Sequence, residues 1–377
     1  MLPVFAPDIQ AFVITIPPKI WRPKPKCRYR PPLEYHDVDS DIILFSRYGR
    51  ALSRPTHEYR LQRTDLIVWD PLLHQVEFDR VITLSPSLDP RLHFRLTTII
   101  QRHWDAFASD SVCRPVLDYE FHIDTGDAKP IACRPPRYGI HESAIIMEQI
   151  AVTRHNGWTR PCPQGGWAAM IELPPKLHQE AVIRIHEFIW RMCVSYRPLN
   201  AVTAPFEFPI PRCDEALDNF APGAGCLYWI SLDAKSGCHQ IAVYWLHREK
   251  LAFILPDNTK ETFDVMPFGP NNAPACYTVL IYTMRAEWTA LFVEKYPDLN
   301  PALITVSEIR YGDRQIVDDI LLYCNDPVAL TLYFECVCMI FVKFRLSFNP
   351  MKCEFFIDRI EWIGYDLRSD GNSPASP

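Results

Sequence analysis

Glycine is scarce in this chain, with 13 residues among 377 against 35 prolines. That balance excludes long flexible Gly-rich linkers and favours ordered, irregular loops. No CxxC occurs among the 13 cysteines, and no Cys/His spacing fits a zinc knuckle or finger. Their odd number and scattered positions suit reduced thiols, many of them buried, in a cytosolic or nuclear protein. The start, MLPVFAPDIQAFVITIPP, has no basic stretch leading into a continuous apolar segment, so no secretory signal is expected. The longest purely apolar run near the C-terminus, CVCMIFV at 336–342, is far too short to span a bilayer. The expectation is an intracellular protein, cytoplasmic or nuclear, with no membrane partner. Internal repeats and low-complexity tracts are missing. So is a global positive charge: the formal net charge of -6 makes no overall case for nucleic-acid binding, although it leaves room for a local basic channel.

What is present is ordinary globular material, 48% apolar and 22% charged, long enough for one large domain or two to three smaller ones. PPKIWRPKPKCRYRPP at 17–32 interleaves Lys19, Arg22, Lys24, Lys26, Arg28 and Arg30 with Trp21 and Tyr29. Such a segment can hold phosphates while its rings stack on bases, or it can be a solvated basic stretch. Apolar spacing predicts a helix over 90–108 and another over 142–152. Strands are expected at 167–173 and 188–196, and a proline-started helix at 210–221. A strand followed by a polar break is expected from 226, and a hairpin over 250–269 turning at Asp257–Asn258. Further helices are expected after Pro274 and over 327–348, with a second hairpin at 353–369. This mixed succession lacks the regular βα alternation of a doubly wound sheet and reads as α+β.

Within QIVDDILLY at 315–323, two adjacent carboxylates, Asp318 and Asp319, stand between β-prone apolar neighbours. Burying a carboxylate is costly unless a proton, a cation or a salt bridge compensates it. Asp233 ends a second such run, CLYWISLD. Successive side chains on a strand face opposite ways. If the two strands are neighbours, Asp233 and one of the pair converge, and a hard divalent cation would relieve their repulsion. On spacing alone, surface or salt-bridged aspartates remain the alternative.

From about residue 120 to 373 the sequence resembles the reverse transcriptase of gypsy-class long-terminal-repeat retrotransposons, protist elements in particular. The matching blocks, in the family's order, are FHIDTGDAKPIACRPPRYG, RMCVSYRPLN, FPIPRCDEALD, SLDAKSGCHQI, VMPFGPNNAPACY, IVDDILLY, NPMKCEF and EWIGYDL. The resemblance implies the fingers and palm of a right-hand polymerase, the palm being an antiparallel sheet backed by helices. It implies two Mg2+ ions held by Asp233, Asp318 and Asp319, with Asp233 and Asp318 favoured as the shared ligands. Lys176 and Arg191 would hold the incoming triphosphate, with surface charge as the alternative for each. Phe268 and Gly269 would line the nucleotide and template pocket, where an isolated Phe-Gly would suggest only a turn. Lys352 would support triphosphate chemistry from behind the catalytic hairpin. Trp362, Ile363, Gly364 and Tyr365 would grip the primer end, or serve as ordinary packing. Asp124 sits in an Asp-Thr-Gly of the kind used by aspartic proteases, but the adjoining DAKPIACRPPRYG matches the start of the polymerase region instead.

Three positions depart from the family pattern. Cys238 stands where a Tyr or Phe usually crowds a ribonucleotide's 2′-hydroxyl, so sugar discrimination should weaken. Ser195 replaces a frequent aspartate, and Ile316 replaces the usual aromatic before the aspartates. The expected organisation is an N-terminal Pro-rich, basic region at 1–110 and mainly fingers with the first part of the palm at 111–225. The palm comes next at 226–349, with a fingers-side return near 245–265, and then a primer-grip-like hairpin at 350–377. The implied function is an RNA-directed DNA polymerase core from a retrotransposon polyprotein, without a full thumb or RNase H domain. Its partners would be an RNA or DNA template–primer duplex, deoxynucleoside triphosphates and the remaining polyprotein domains. The alternative is a catalytically impaired or domesticated remnant that binds nucleic acid.

Overall fold

The computed structural model describes residues 43–45, 51–53, 67–82, 84, 88–107, 115–116, 119–162, 164–174, 190, 192–206, 208, 228–299, 311–316, 319–356, 359–362, 365–368 and 371–374. The chain divides into two compact units, Met1–Thr56 and His57–Pro377. In the first, β1 (Ile43–Phe45) and β2 (Ala51–Ser53) pair antiparallel. The basic stretch at 17–32 and the helix expected at 210–221 lie outside the described residues.

The second unit opens with two helices, α1 (Pro71–Val81) and α2 (Pro90–Arg102). Both begin the same way. An Asp side chain accepts backbone N–H groups of the first turn, Asp70 from Leu72 and Asp89 from Arg91 and Leu92, and Pro occupies the first helical position. There its missing N–H costs nothing. α1 is not anticipated by the sequence pattern, and α2 is shorter than expected, because the chain tightens into a 3-10 turn at Trp104–Ala106 that buries Trp104. Residues 67–107, grouped in sequence with the N-terminal region, pack instead into the second unit. Arg102 pairs with Glu335 at 2.5 Å, and the Phe107 ring lies 5.2 Å from that of Phe348.

Next come β3 (Glu120–Phe121), α3 (Ile140–His155), β4 (Thr159–Pro161), β5 (Met170–Glu172), β6 (Cys193–Ser195) and the short α4 (Arg197–Asn200). The two expected strands at 167–173 and 188–196 are shorter but do pair, β5 antiparallel to β6. Following β7 (Tyr228–Asp233) and β8 (Ala242–Val243), the expected hairpin forms from β9 (Phe253–Ile254) and β10 (Lys260–Phe263), with Asn258 at φ +64° in its turn. β10 also pairs with β4, and α3 is tied to this sheet where Arg154 grips the fully buried Glu261 at 2.6 and 2.8 Å.

The remaining elements are α5 (Ala273–Lys295), β11 (Tyr311–Ile316), β12 (Asp319–Cys324), α6 (Pro327–Phe344), β13 (Glu354–Phe355), β14 (Arg359–Trp362), β15 (Tyr365–Arg368) and β16 (Gly371–Pro374). An antiparallel sheet in the order β11-β12-β7-β13 carries the acidic strands. α5 and α6 pack against each other, and α6 also lies on this sheet and on α2. α6 repeats the Asp-Pro start, with Asp326 accepting the Ala329 N–H at 2.7 Å, and ends at Arg345 in the left-handed region. By length and composition α6 could cross a membrane, but more than half of it is buried against the fold, as a core helix would be. The buried face presents Leu330, Tyr333, Phe334, Val337 and Phe341, spaced by three and four residues.

Beneath the sheet lies a charged knot. Asp313 of β11, 2% exposed, meets the Arg285 guanidinium at 2.5 Å and accepts hydrogen bonds from the Tyr333 hydroxyl (2.5 Å) and the Trp288 indole (3.3 Å). Asp313 chiefly holds Arg285 above its usual pKa, and burial pushes the Tyr333 phenol well up. One residue earlier, Gly312 lies opposite Tyr323 across the β11–β12 ladder, and a Cβ on it would stand 2.5 Å from the Tyr323 hydroxyl. The C-terminal hairpin is present as β14–β15, and β16 extends it into a three-stranded sheet that the sequence pattern does not anticipate.

Candidate active site

The ladder between β7 and β12 runs from Tyr228 opposite Cys324 to Asp233 opposite Asp319. Residues directly opposed on antiparallel strands share a face, with Cβ atoms about 4.5–5.5 Å apart. Two carboxylates therefore meet at one end of the sheet. Asp319 is solvent-accessible, yet its carboxyl is pushed above the usual range, first by partial burial and then by Asp233, with Lys352 opposing. Asp318 lies outside the described residues.

Asp233 already has a cationic partner. Lys352 Nζ donates to its Oδ2 at 3.0 Å, the lysine side chain being 63% exposed and the aspartate 17%. Local backbone pairing sets this contact. The Asn349 N–H donates to the Asp233 carbonyl (2.8 Å), Lys235 N–H to that of Ser347 (2.9 Å), and the Lys352 N–H closes a 3-10 turn on Asn349 (3.0 Å). Gln240 locks the same junction. Its amide donates to the carbonyls of Lys235 (2.6 Å) and Ser347 (3.1 Å) and accepts the Ser347 N–H (2.7 Å).

A second clasp joins the loop around Gly269 to the chain after β6. Asn200 donates to the Gly269 carbonyl (2.9 Å) and accepts the Asn271 N–H (3.0 Å). Asn272 accepts the Phe206 N–H (3.0 Å) and donates to the Ala204 carbonyl (2.8 Å). Phe268, 59% exposed, stands edge-on 5.3 Å from His239, which stacks on Trp158 at 4.3 Å. Burial lowers the His239 pKa to about 4. Cys238, in the 3-10 turn at 237–240 that follows Asp233, is buried, 3% exposed.

Of the expected site residues, Asp233, Asp319 and Lys352 come together, while Phe268, Gly269 and Cys238 lie on neighbouring segments. Lys176, Arg191, Ile363 and Gly364 lie outside the described residues. Trp362 and Tyr365 are opposed in the β14–β15 ladder register. Gln240, Asn200 and Asn272 are not marked by the sequence pattern. The available signal is an amide residue inside an otherwise tightly packed block, because a buried amide must find partners.

The comparisons with known proteins bear on this same stretch. Residues 188–367 match the family model described as reverse transcriptase (RNA-dependent DNA polymerase). That region is a reverse transcriptase domain. The Tf2-3 and Tf2-7 transposon polyproteins of Schizosaccharomyces pombe are each 29% identical over 185 residues, 49% of this chain. The match spans 12% of the length of those curated relatives. In fold, the chain is similar to a foamy viral protease–reverse transcriptase solved with double-stranded DNA, at TM-score 0.64 and 16% identity, covering 84% of this chain and 49% of that one. The foamy viral protein solved with an RNA/DNA hybrid gives TM-score 0.63 at 16% identity, over 84% and 38% of the two chains. The likeness establishes a reverse transcriptase fold with mixed helices and antiparallel sheets. The reverse transcriptase family works with divalent metal ions.

The described residues fit such an ion. Two hard oxygen donors oppose each other, Asp233 adds to the charge strain on Asp319, and an ammonium already sits on the other carboxylate. Among the described residues no three His, Cys, Asp or Glu side chains gather as one cluster, and Asp318, the third expected ligand, is not among them.

Proposed function

We propose that the domain is the RNA-directed DNA polymerase core of a gypsy-class, protist-type retrotransposon polyprotein. It would add deoxynucleotides to a primer 3′-hydroxyl on an RNA or DNA template. The observation that carries this reading is the opposition of Asp233 and Asp319 at the sheet end, inside the stretch that matches the reverse transcriptase family. Two Mg2+ ions held by Asp233, Asp318 and Asp319 would supply the charge that activates the hydroxyl and neutralises the triphosphate.

The chain's own groups do the positioning. Arg191 and Lys176 hold the triphosphate as fork and point charges respectively. The Asn200 and Asn272 clasps fix the Phe268–Gly269 segment against which the base and sugar lie. Cys238 leaves more room beside the sugar than a tyrosine ring would. Trp362, Ile363, Gly364 and Tyr365 hold the primer end. The same reading would place the protein in the cytoplasm or nucleus, as the odd number and scattered positions of its 13 cysteines suggest.

Primer extension tests the reading. On poly(rA)/oligo(dT) with Mg2+, the chain should extend with dTTP, should lose extension by at least about a thousandfold in Asp318→Asn, and should accept UTP measurably because of Cys238. Duplex binding without any extension would overturn the polymerase and leave a nucleic-acid-binding remnant.

A further inference from the structure

We infer that Lys352 is a built-in counter-ion for Asp233: it occupies the carboxylate when no divalent ion is bound, and it is displaced toward the incoming triphosphate when one arrives. This rests on the polymerase reading above and adds a role for Lys352 in metal loading.

The geometry is specific. Lys352 Nζ lies 3.0 Å from Asp233 Oδ2, while most of the lysine side chain is open to solvent. The backbone beneath it is held by the Asn349 N–H on the Asp233 carbonyl and by the Gln240 bridge to Ser347. The anchor of the lysine is therefore fixed relative to the aspartate, and only its four-carbon stem is free to swing. Asp319 stands directly opposite Asp233 in the β7–β12 ladder, so the ammonium on Asp233 lies beside a pair of opposed carboxylates.

A divalent ion on those carboxylates would sit within a few ångströms of the ammonium, and like charges at that range repel. Binding of the ion and the Lys352–Asp233 pair are consequently competitive. A triphosphate arriving with the ion offers the displaced ammonium a new anionic partner. The ammonium thus offsets part of the carboxylate charge until the ion arrives.

The test is Mn2+ titration of the full chain, monitored by electron paramagnetic resonance of the free ion, with Mg2+ as competitor. Lys352→Met and Lys352→Gln should bind Mn2+ about fivefold more tightly than the parent, the scale of a partly exposed ion pair. Lys352→Arg should stay close to the parent, because it keeps the charge. Asp233→Asn should abolish the tight component in every background. A purely structural lysine would leave affinity unchanged, and a lysine that orients Asp233 for the metal would give weaker binding in Lys352→Met; either result overturns the inference while leaving the polymerase reading intact. Absence of any Asp233-dependent Mn2+ binding in the parent overturns the inference, and primer extension by the same preparation then decides whether the polymerase reading stands.

Discussion

Gly269 sits at φ +107°, a backbone region in which a side chain is strained, and a Cβ there would press on the Tyr196 ring at 3.3 Å and the Val194 carbonyl at 3.4 Å. Gly269→Ala should therefore destabilise the protein by about 1–3 kcal/mol and push Phe268 off its place, seen as a lower urea midpoint and a raised KM for dTTP. The MPFG block singles out this glycine in the sequence, and the backbone supplies the physical reason. Asp233 and Lys352 are also legible there, but their direct contact is not. They are 119 residues apart, and nothing local marks one as the partner of the other. Gln240, Asn200 and Asn272 escape notice because the bonds that tie them to remote backbone leave no spacing pattern in the sequence.

Between elements, the decisive tie is Asp313. It joins β11 to α5 through Arg285 and Trp288 and to α6 through Tyr333, on the strand that pairs with the one carrying Asp319. Asp313 is buried but the Arg285 side chain is 38% exposed, so Asp313→Ala leaves a partly solvated guanidinium and the buried Tyr333 and Trp288 donors short of an acceptor, and should cost about 1–3 kcal/mol in denaturant unfolding. The double variant Asp313→Leu, Arg285→Met should lose much less, since no charge is then left unpaired. Long, strongly patterned elements such as α5, α6 and the β9–β10 hairpin are legible in the sequence. α1 is not: its Asp70-Pro71 start is the same signal that opens α2 and α6, but its exposed Leu72, Leu73 and Val76 blur the polar face that would complete the pattern. The compact unit that holds α2 begins at His57, and the apolar face of α2 reaches its partners only in the folded chain, on α6.

Across the molecule, acid stability turns on two histidines kept neutral by their surroundings. Burial holds His239 at about 4, and burial, with Lys250 and His122 adding to it, holds His247 at about 3. Their folded values lie below the unfolded value near 6.5, so the unfolded chain takes up protons first as pH falls. Stability is full above about pH 7.5 and declines through the window from 6.5 downward, by about 2 kcal/mol per histidine at pH 5. Urea unfolding at pH 7.5, 6.5 and 5.0 checks this, and His239→Phe, which preserves a ring against Trp158, should flatten the slope by roughly half. The Gly312–Tyr323 packing bears on the site in another way. Moving β12 along β11 by a single residue would set the Tyr323 ring over Tyr311 or Asp313, where no gap exists for it, and would take Asp319 from its place opposite Asp233. With side chains buried on both faces of β12, hydrophobicity alone guards poorly against such a slip. One missing methyl group at position 312 therefore helps to keep Asp319 opposite Asp233.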